Sequence, residues 1–584
     1  MSTETHQEAR RLRDTIHPVV FPVSALLILA VAIFAMAMPG VAEDAFTETR
    51  QFLEGTFGWF YILVMAALLV TAVFLVFSPY ARIKLGPDDA EPDYSTGAWF
   101  AMLFSAGMGI GLVFWGVAEP VFIFDAPPFA EGGTDAAAQE SMNFVFHHWG
   151  FSPWAVYAII GLGLAFFGFR KGMPMAIRSL FRPLLGDRVD GPIGNLIDII
   201  AVVATMFGIV TSLGLGVTQI AAGINHVTGW EPGNPGLVLI IAVITAIAVV
   251  SVVGGLDKGI KRLSQINIAA AGLLAAAVML LGPTLFLIFA FVDNTGSYLQ
   301  NMINTLLLTG SYDEGVRDFL DAWTIFYWAW WISWSPFVGM FIARVSYGRT
   351  IRQFVLGVLL APTIVSFMWF TIFGNTALDT PGVVDGVLEQ GTDVGMFVLL
   401  ESLEIPGALV TILSLLVIFV VAVFFVTSSD SGSFVIDMLT SGGDLNPAVQ
   451  TRVFWAVSEG ALAAALLLAG GEAGLDGLQA AAIAAGLPFA VVLVFAIWSL
   501  LKGLREEIPR AARGRPRDLP ATATEATRQE RAQREREMEL RARELDLKEQ
   551  ELEQWEEELA ANGGGGGSSR GGGPSAPPDL GRDP

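Results

Sequence analysis

The stretch Trp323-Thr324-Ile325-Phe326-Tyr327-Trp328-Ala329-Trp330-Trp331-Ile332-Ser333-Trp334-Ser335-Pro336-Phe337-Val338-Gly339 contains no charged residue. A helix crossing a bilayer needs about 20 apolar residues, because its backbone must satisfy its own hydrogen bonds there. This stretch approaches that length. Seven of its first twelve residues are aromatic, and Trp323, Tyr327, Trp330 or Trp331, and Trp334 share one face at helical spacing. Such a stripe serves core packing or an interfacial belt when it holds few rings. At this density it also suits a cation, since indole faces attract positive charge and cages of them hold quaternary ammonium groups, which offer no N–H to a hydrogen-bond acceptor.

The rest of the chain places this helix in a membrane. Of 584 residues, 53% are hydrophobic and only 15% charged, too apolar for a soluble multidomain protein. Apolar runs of spanning length fall near 18–38, 56–78, 96–117, 149–168, 193–225, 236–254, 267–293, 322–342, 351–374, 407–429, 452–470 and 478–501, about twelve helices. There is no cysteine, which closes disulfide, thiolate and zinc-ribbon chemistry. No catalytic triad, metal cluster or phosphate loop points to an enzyme, and nothing points to a nucleic-acid partner. The net charge of −22 resides largely in loops and tails.

Loop charges orient the spans, because Lys and Arg gather on the cytoplasmic side. Arg10, Arg11 and Arg13 precede the first span, and every second loop after it is basic: Arg82 and Lys84; Arg170, Lys171, Arg178, Arg182 and Arg188; Lys258, Lys261 and Arg262; Arg344, Arg349 and Arg352. Segments 118–148, 226–236, 375–406 and 471–477 lack Lys and Arg, with Arg50 and Arg317 the exceptions elsewhere on that side. A multi-pass protein of the inner (cytoplasmic) membrane with both termini in the cytoplasm is expected. Its regions are an N-terminal segment 1–17, a transmembrane domain 18–502, a Pro- and Arg-rich linker 503–523, a charged helix 524–561 and a disordered tail 562–584. Met538, Leu545, Leu552 and Leu559 recur every seven residues, but Arg541 and Lys548 interrupt the seam, so a solvated helix, a coiled coil and a membrane-surface sensor all fit.

Two further constellations lie in spans. In the third, Gly107-Met108-Gly109-Ile110-Gly111 weakens the helix, since each Gly costs about 1 kcal/mol relative to Ala and admits another backbone or a ligand. Unwound backbone at membrane depth either is buried in protein or lines a cavity, where its carbonyls coordinate cations; tight helix packing fits the same glycines. Downstream, Pro120 is expected to end this helix and to leave Glu119 as an expensive acid near the boundary. The tenth span closes on Thr427-Ser428-Ser429-Asp430, oxygen ligands suited to a hard cation such as sodium or, equally, hydroxyls bonded back to their own helix.

With Gly107-Met108-Gly109-Ile110-Gly111, Gly116-Val117-Ala118-Glu119-Pro120 and the tryptophan stretch, the chain resembles the betaine/choline/carnitine transporter family over roughly residues 15–505. The resemblance implies an all-α membrane fold in which two leading helices precede a LeuT-type 5+5 inverted repeat, spans 3–7 and 8–12, assembled as a homotrimer in lipid. It implies alternating-access symport of a small zwitterionic or cationic solute, with sodium co-transported. The family's ammonium-binding aromatics fall on Trp330, Trp331 and Trp334, and an accessory wall on Trp149, Trp154 and Tyr157. Backbone N–H groups at Gly107, Met108, Gly109, Ile110 and Gly111 are candidates for the solute carboxylate. Sodium would take carbonyls of Ser105, Met108 and Phe424 and hydroxyls of Thr427 and Ser428. Of a second sodium site, Thr205 and Phe337 match, but Ile209 stands where those members have a threonine, leaving that site absent or rebuilt with Thr211. Choline-carrying, proton-coupled members tend to carry Asp where this chain has Gly111, which favours glycine betaine, with ectoine and proline betaine as related solutes; choline uptake and osmosensing with residual transport are the alternatives.

Overall fold

A computed structural model describes residues 16–107, 109–254, 257–469 and 475–511. Among these the chain is helical, with a single isolated β-bridge between Lys84 and Thr350. The principal helices are α1 (Val20–Ala37), α2 (Pro39–Phe77), α3 (Thr96–Gly107), α4 (Ile110–Asp125), α5 (Asp135–Trp149), α6 (Phe151–Ala165), α7 (Pro192–Thr228), α8 (Gly233–Gly254), α9 (Asp257–Leu281), α10 (Thr284–Leu306), α11 (Phe326–Arg344), α12 (Ile351–Phe370), α13 (Gly407–Thr440), α14 (Val449–Ala469) and α15 (Leu475–Ala511). Ten helical stretches among the described residues are long and apolar enough to cross a membrane. The third and eighth expected spans are the two outside that set. The third is split into α3 and α4, each too short to cross alone, and the eighth, α11, is diluted by Trp, Tyr and Ser.

Two expected boundaries are corrected. The run 267–293 divides at Gly282-Pro283, where Pro supplies no N–H to the helix, so α9 ends at Leu281 and α10 begins at Thr284. Pro120 does not end α4, which continues to Asp125. The proline ring packs into the space left by Gly374, where a Cβ would lie 2.7 Å from Pro120 Cγ, and Ser141 Oγ donates to the Pro120 carbonyl at 2.7 Å. Gly374 thus leaves room for the ring within the helix. Glu119 is consequently interior, with no exposed surface.

The aromatic helix α11 lies at the centre, every residue from Phe326 to Met340 being buried. It packs against α6, α7 and α15, while α7 and α13, the third helices of the two expected repeats, pack on each other. An interfacial belt is thereby excluded for these tryptophans. Close approach is licensed by small residues: a Cβ on Gly339 would fall 2.4 Å from Ile160 of α6, and one on Gly208 would fall 2.7 Å from Trp334.

The basic loops around Lys84, Arg170 and Arg349 meet at one end. Arg170 donates to Glu507 and to Asp88, both at 2.8 Å, and to the Gly86 carbonyl at 2.9 Å, and Lys171 pairs with Glu507 as well. Leu85 N–H donates to the Arg349 carbonyl at 2.8 Å, and His17 N–H to that of Thr440 at 2.8 Å. Glu507 lies beyond the expected end of the membrane domain, since α15 runs on through Gly503 to Ala511, drawn inward by buried Leu504 and Glu507. The charged helix 524–561 and the tail 562–584 lie outside the described residues.

Candidate functional site

The helix break comes first. Helix α3 stops at Gly107 and α4 starts at Ile110, with Gly109 extended at φ −152° and ψ −145°. The backbone next to Gly109 and Gly111 faces tryptophans. A Cβ on Gly111 would lie 2.6 Å from Trp330 Cη2 and 3.0 Å from Trp149 Cη2, and one on Gly109 3.9 Å from Trp334 Cη2 and 3.8 Å from Ser428 Oγ. The broken span therefore meets the aromatic helix on one side and the tenth-span hydroxyls on another. Ile110 turns away from the break and seats on Gly216 of α7, 3.0 Å from where a Cβ there would be.

The rings form a continuous group. Trp330 and Trp331 stack at 4.6 Å with planes 15° apart, and Trp149 stands edge-on to both, at 6.2 Å and 89° from Trp330 and 4.8 Å and 74° from Trp331. Tyr157 meets Trp331 edge-on at 6.5 Å, and Trp154 meets Tyr157 at 5.4 Å. Trp334 stands apart from these rings, edge-on to Phe337 at 5.5 Å. Trp323, at the start of the stripe, joins the group at its edge, packing on Trp115 at 5.6 Å, which in turn lies 6.0 Å from Tyr327. The indole N–H groups hold the rings in place: Trp330 Nε1 donates to Ser212 Oγ at 3.2 Å and to the Gly208 carbonyl at 3.3 Å, and Trp331 Nε1 to the His148 carbonyl at 2.9 Å. Trp334 Nε1 and the Tyr157 hydroxyl are buried without a protein partner. A ligand carboxylate or water is the kind of group that satisfies such donors.

Sequence reasoning marked Glu119 as costly without assigning it a task. Its Oε2 accepts from Tyr327 Oη at 2.5 Å and Trp149 Nε1 at 2.8 Å, and its Oε1 lies 2.7 Å from His148 Nδ1, whose Nε2 is 2.9 Å from Thr324 Oγ1. One buried carboxyl thus fixes a ring of the accessory wall and a ring of the aromatic helix together. No spacing within the chain ties His148, Trp149 or Tyr327 to residue 119, so only their packing reveals this carboxyl's role.

The expected cation ligands are divided between two places. Phe424, Thr427 and Ser428 lie on α13, with Ser428 facing Gly109 as described. Thr427 Oγ1 donates to the Val423 carbonyl at 3.0 Å and the Phe424 carbonyl at 3.2 Å, which leaves its lone pairs for a cation. Met108 and the Ser105 side chain lie outside the described residues. Thr205 Oγ1 donates to the Ala201 carbonyl at 2.7 Å, and Ile209, fully buried one turn on, fills the space beside Gly432, with Cδ1 2.4 Å from where a Cβ there would be. Thr211 points toward another helix, Oγ1 donating to the Phe207 carbonyl at 2.8 Å and to the Leu478 carbonyl of α15 at 3.1 Å, because six residues along a helix turn the side chain well away from position 205.

Known proteins resemble this chain along most of its length. The family model for betaine/carnitine/choline family transporters matches residues 19–509. The glycine betaine transporter OpuD of Bacillus subtilis is 43% identical over 504 residues, covering 86% of this chain and 97% of that protein. Glycine betaine transporter 1 of Vibrio parahaemolyticus is 45% identical, covering 84% and 94%. An uncharacterized transporter of Mycobacterium tuberculosis is 47% identical, covering 85% and 84%. With nearly the whole described membrane region matched, this chain belongs to the betaine/carnitine/choline family of transporters, and it is a multi-span membrane carrier rather than an enzyme.

Proposed function

We propose that this protein imports a quaternary ammonium compatible solute, glycine betaine foremost, by sodium symport across the cytoplasmic membrane during osmotic adaptation. The observation that carries the reading is one short break in one helix: Gly111 faces the Trp149 and Trp330 ring tips, and Gly109 faces Ser428. A solute held at the first and a cation held at the second would each order the same backbone, so binding of one favours binding of the other. The ammonium head would rest against the indoles of Trp330, Trp331, Trp334 and Trp149, each desolvated contact contributing about 2 kcal/mol. The carboxylate would take free N–H groups of the break and the unpartnered Trp334 Nε1. Sodium would take the hydroxyls of Thr427 and Ser428 with carbonyls of Phe424 and the break, a set of hard oxygen donors. Ile209 leaves Thr205 and Phe337 without their partner, so this reading assigns one sodium rather than two. Rocking of the helices around the fixed site would expose it alternately.

The convergence of the basic loops supports cytoplasmic placement of that end and of both termini; a homotrimer embedded in lipid remains part of the proposal through the family resemblance. Choline is the second reading, favoured by the family description and disfavoured by Gly111 in place of the Asp that choline-carrying members tend to have. Uptake of radiolabelled glycine betaine, choline and ectoine into proteoliposomes tests both. Glycine betaine accumulation that requires an inward sodium gradient is expected. Equal uptake with and without the gradient rejects symport, and preference for choline rejects the solute assignment.

A further inference from the structure

Away from the aromatic site, a cavity of about 400 Å³ opens between α5 and α10, two helices that pack on each other. Each helix gives it a polar stripe at helical spacing: Gln139 and Asn143 on α5, and Ser297, Asn301, Asn304 and Thr305 on α10. Phe129, in the loop before α5, and Phe144 add two rings. Polar stripes that face each other across a helix contact ordinarily bond to one another, because a buried amide without a partner is costly. Here Asn301 Nδ2 instead donates within its own helix, to the Ser297 carbonyl at 3.0 Å, and across the gap Thr305 Oγ1 lies 3.5 Å from His147 Nδ1. Asn143 is only 7% exposed, and its Oδ1 has no partner.

The lining decides what fits. Among the described residues no Lys, Arg or His lines the cavity, so an anion finds no counter-charge. A calcium-like cation collects several carboxylates, and this wall has one, Glu140, whose two oxygens already accept from Phe129 N–H at 3.0 Å and Ala130 N–H at 2.8 Å. A quaternary ammonium solute carries no N–H or O–H, so neither its head nor its carboxylate can donate to Asn143 Oδ1. A neutral molecule bearing several hydroxyls meets every requirement. Each hydroxyl both donates and accepts, which matches amides and hydroxyls alike, and the C–H faces between them pack on Phe129 and Phe144. The volume lies at the small end of ligand pockets, which suits a hexitol or a small sugar rather than a polymer.

We propose that this cavity binds a neutral polyhydroxylated solute, a polyol or a mono- or disaccharide, at a site separate from the ammonium cage. It lies on the side away from the basic loops: segment 118–148 has no Lys or Arg, and α6 leads from it to Arg170. Occupancy ties α5 to α10 within two turns of Trp149, a wall of the cage, so a bound polyol should tighten glycine betaine binding. That coupling rests on the transport reading above; the site itself does not. The test uses the full chain in lipid nanodiscs, free of sugar-headed detergent. Radiolabelled sorbitol, glucose and trehalose are each equilibrated with the protein, first without glycine betaine and then with an excess of it. Saturable binding of at least one of them, retained under excess glycine betaine, is expected. Asn143→Leu, which removes the unpartnered amide at nearly constant size, should weaken that binding about tenfold. Asn304→Leu, at an exposed position, should weaken it as well while glycine betaine binding without polyol stays as in the wild type. Three outcomes overturn the proposal: no saturable binding of any of the three, which leaves the cavity to water alone; displacement by glycine betaine, which places the polyol in the cage; and wild-type polyol affinity in both variants. Glycine betaine affinity unchanged by bound polyol overturns the coupling. A wild type that binds the polyol but not glycine betaine refutes the solute reading instead.

Discussion

Placing a methyl group on Gly111 tests the geometry of the cage most directly. The Cβ of Gly111→Ala would come within 2.6 Å of Trp330 Cη2 and 3.0 Å of Trp149 Cη2. Carbon atoms in contact prefer about 3.5–4.0 Å, so the ring tips must retreat by about 1 Å and by about 0.5 Å. Neither ring is free to do so. Trp330 is stacked on Trp331 at 4.6 Å and bonded through Nε1 to Ser212 and Gly208, and Trp149 is bonded to Glu119. Overpacking of a closed interior costs about 1–3 kcal/mol, which corresponds to about 5- to 150-fold in affinity when it falls on the binding surface. Fluorescence titration of the detergent-solubilised protein with glycine betaine should show a loss in that range, together with an altered near-ultraviolet circular dichroism of the tryptophans. Gly109→Ala meets only ordinary contacts at 3.8 Å and 3.9 Å and should lose markedly less. Equal losses in the two variants, or wild-type affinity in Gly111→Ala, would refute the placement of solute between these rings.

Removing the Glu119 carboxyl in Glu119→Ala strands Trp149 Nε1, Tyr327 Oη and His148 Nδ1, each worth about 1–3 kcal/mol when left unsatisfied; a large drop in melting temperature and weaker solute binding are expected. Glu119→Gln should recover most of both, since its oxygen can still accept from Trp149 and Tyr327 while its amide donates to the histidine, and a Gln variant as damaged as the Ala variant contradicts the positioning role. At the N-terminal end of α1, His17 Nδ1 accepts from Val19 N–H at 3.3 Å and Val20 N–H at 3.2 Å, a cap available only to neutral imidazole. Burial, and then the charge of Arg178, hold its pKa below the ordinary 6.5. The folded state therefore disfavours the proton, so the stabilisation is present above about pH 6.5 and fades as pH falls below it. Melting temperatures should decline less on acidification in His17→Asn, which caps without titrating, and parallel declines would show that His17 carries none of the effect.

How much of this was legible along the chain differs by element. The spans, the alternation of basic and bare loops and the central tryptophan helix were readable because hydropathy, charge and helical spacing are local properties, written within a window of about 20 residues. The glycine break between Gly107 and Ile110 was readable for the same reason. The passage of α4 through Pro120 was not, because the support for that proline comes from Gly374 and Ser141, far away in sequence. Nor was the bond from the Thr211 hydroxyl to the Leu478 carbonyl of α15, which depends on a crossing between helices far apart in sequence.

The sequence by itself determined that this chain enters a membrane, that one helix carries a dense tryptophan stripe and that another is broken at a glycine run. Only the tertiary structure decided that Glu119 ties Trp149 to Tyr327 and that Gly111 opens toward the indole tips. The reason is physical: a carboxyl buried away from water must find its partners wherever the packed helices bring them, and that proximity is set by crossings between spans rather than by spacing within any one of them.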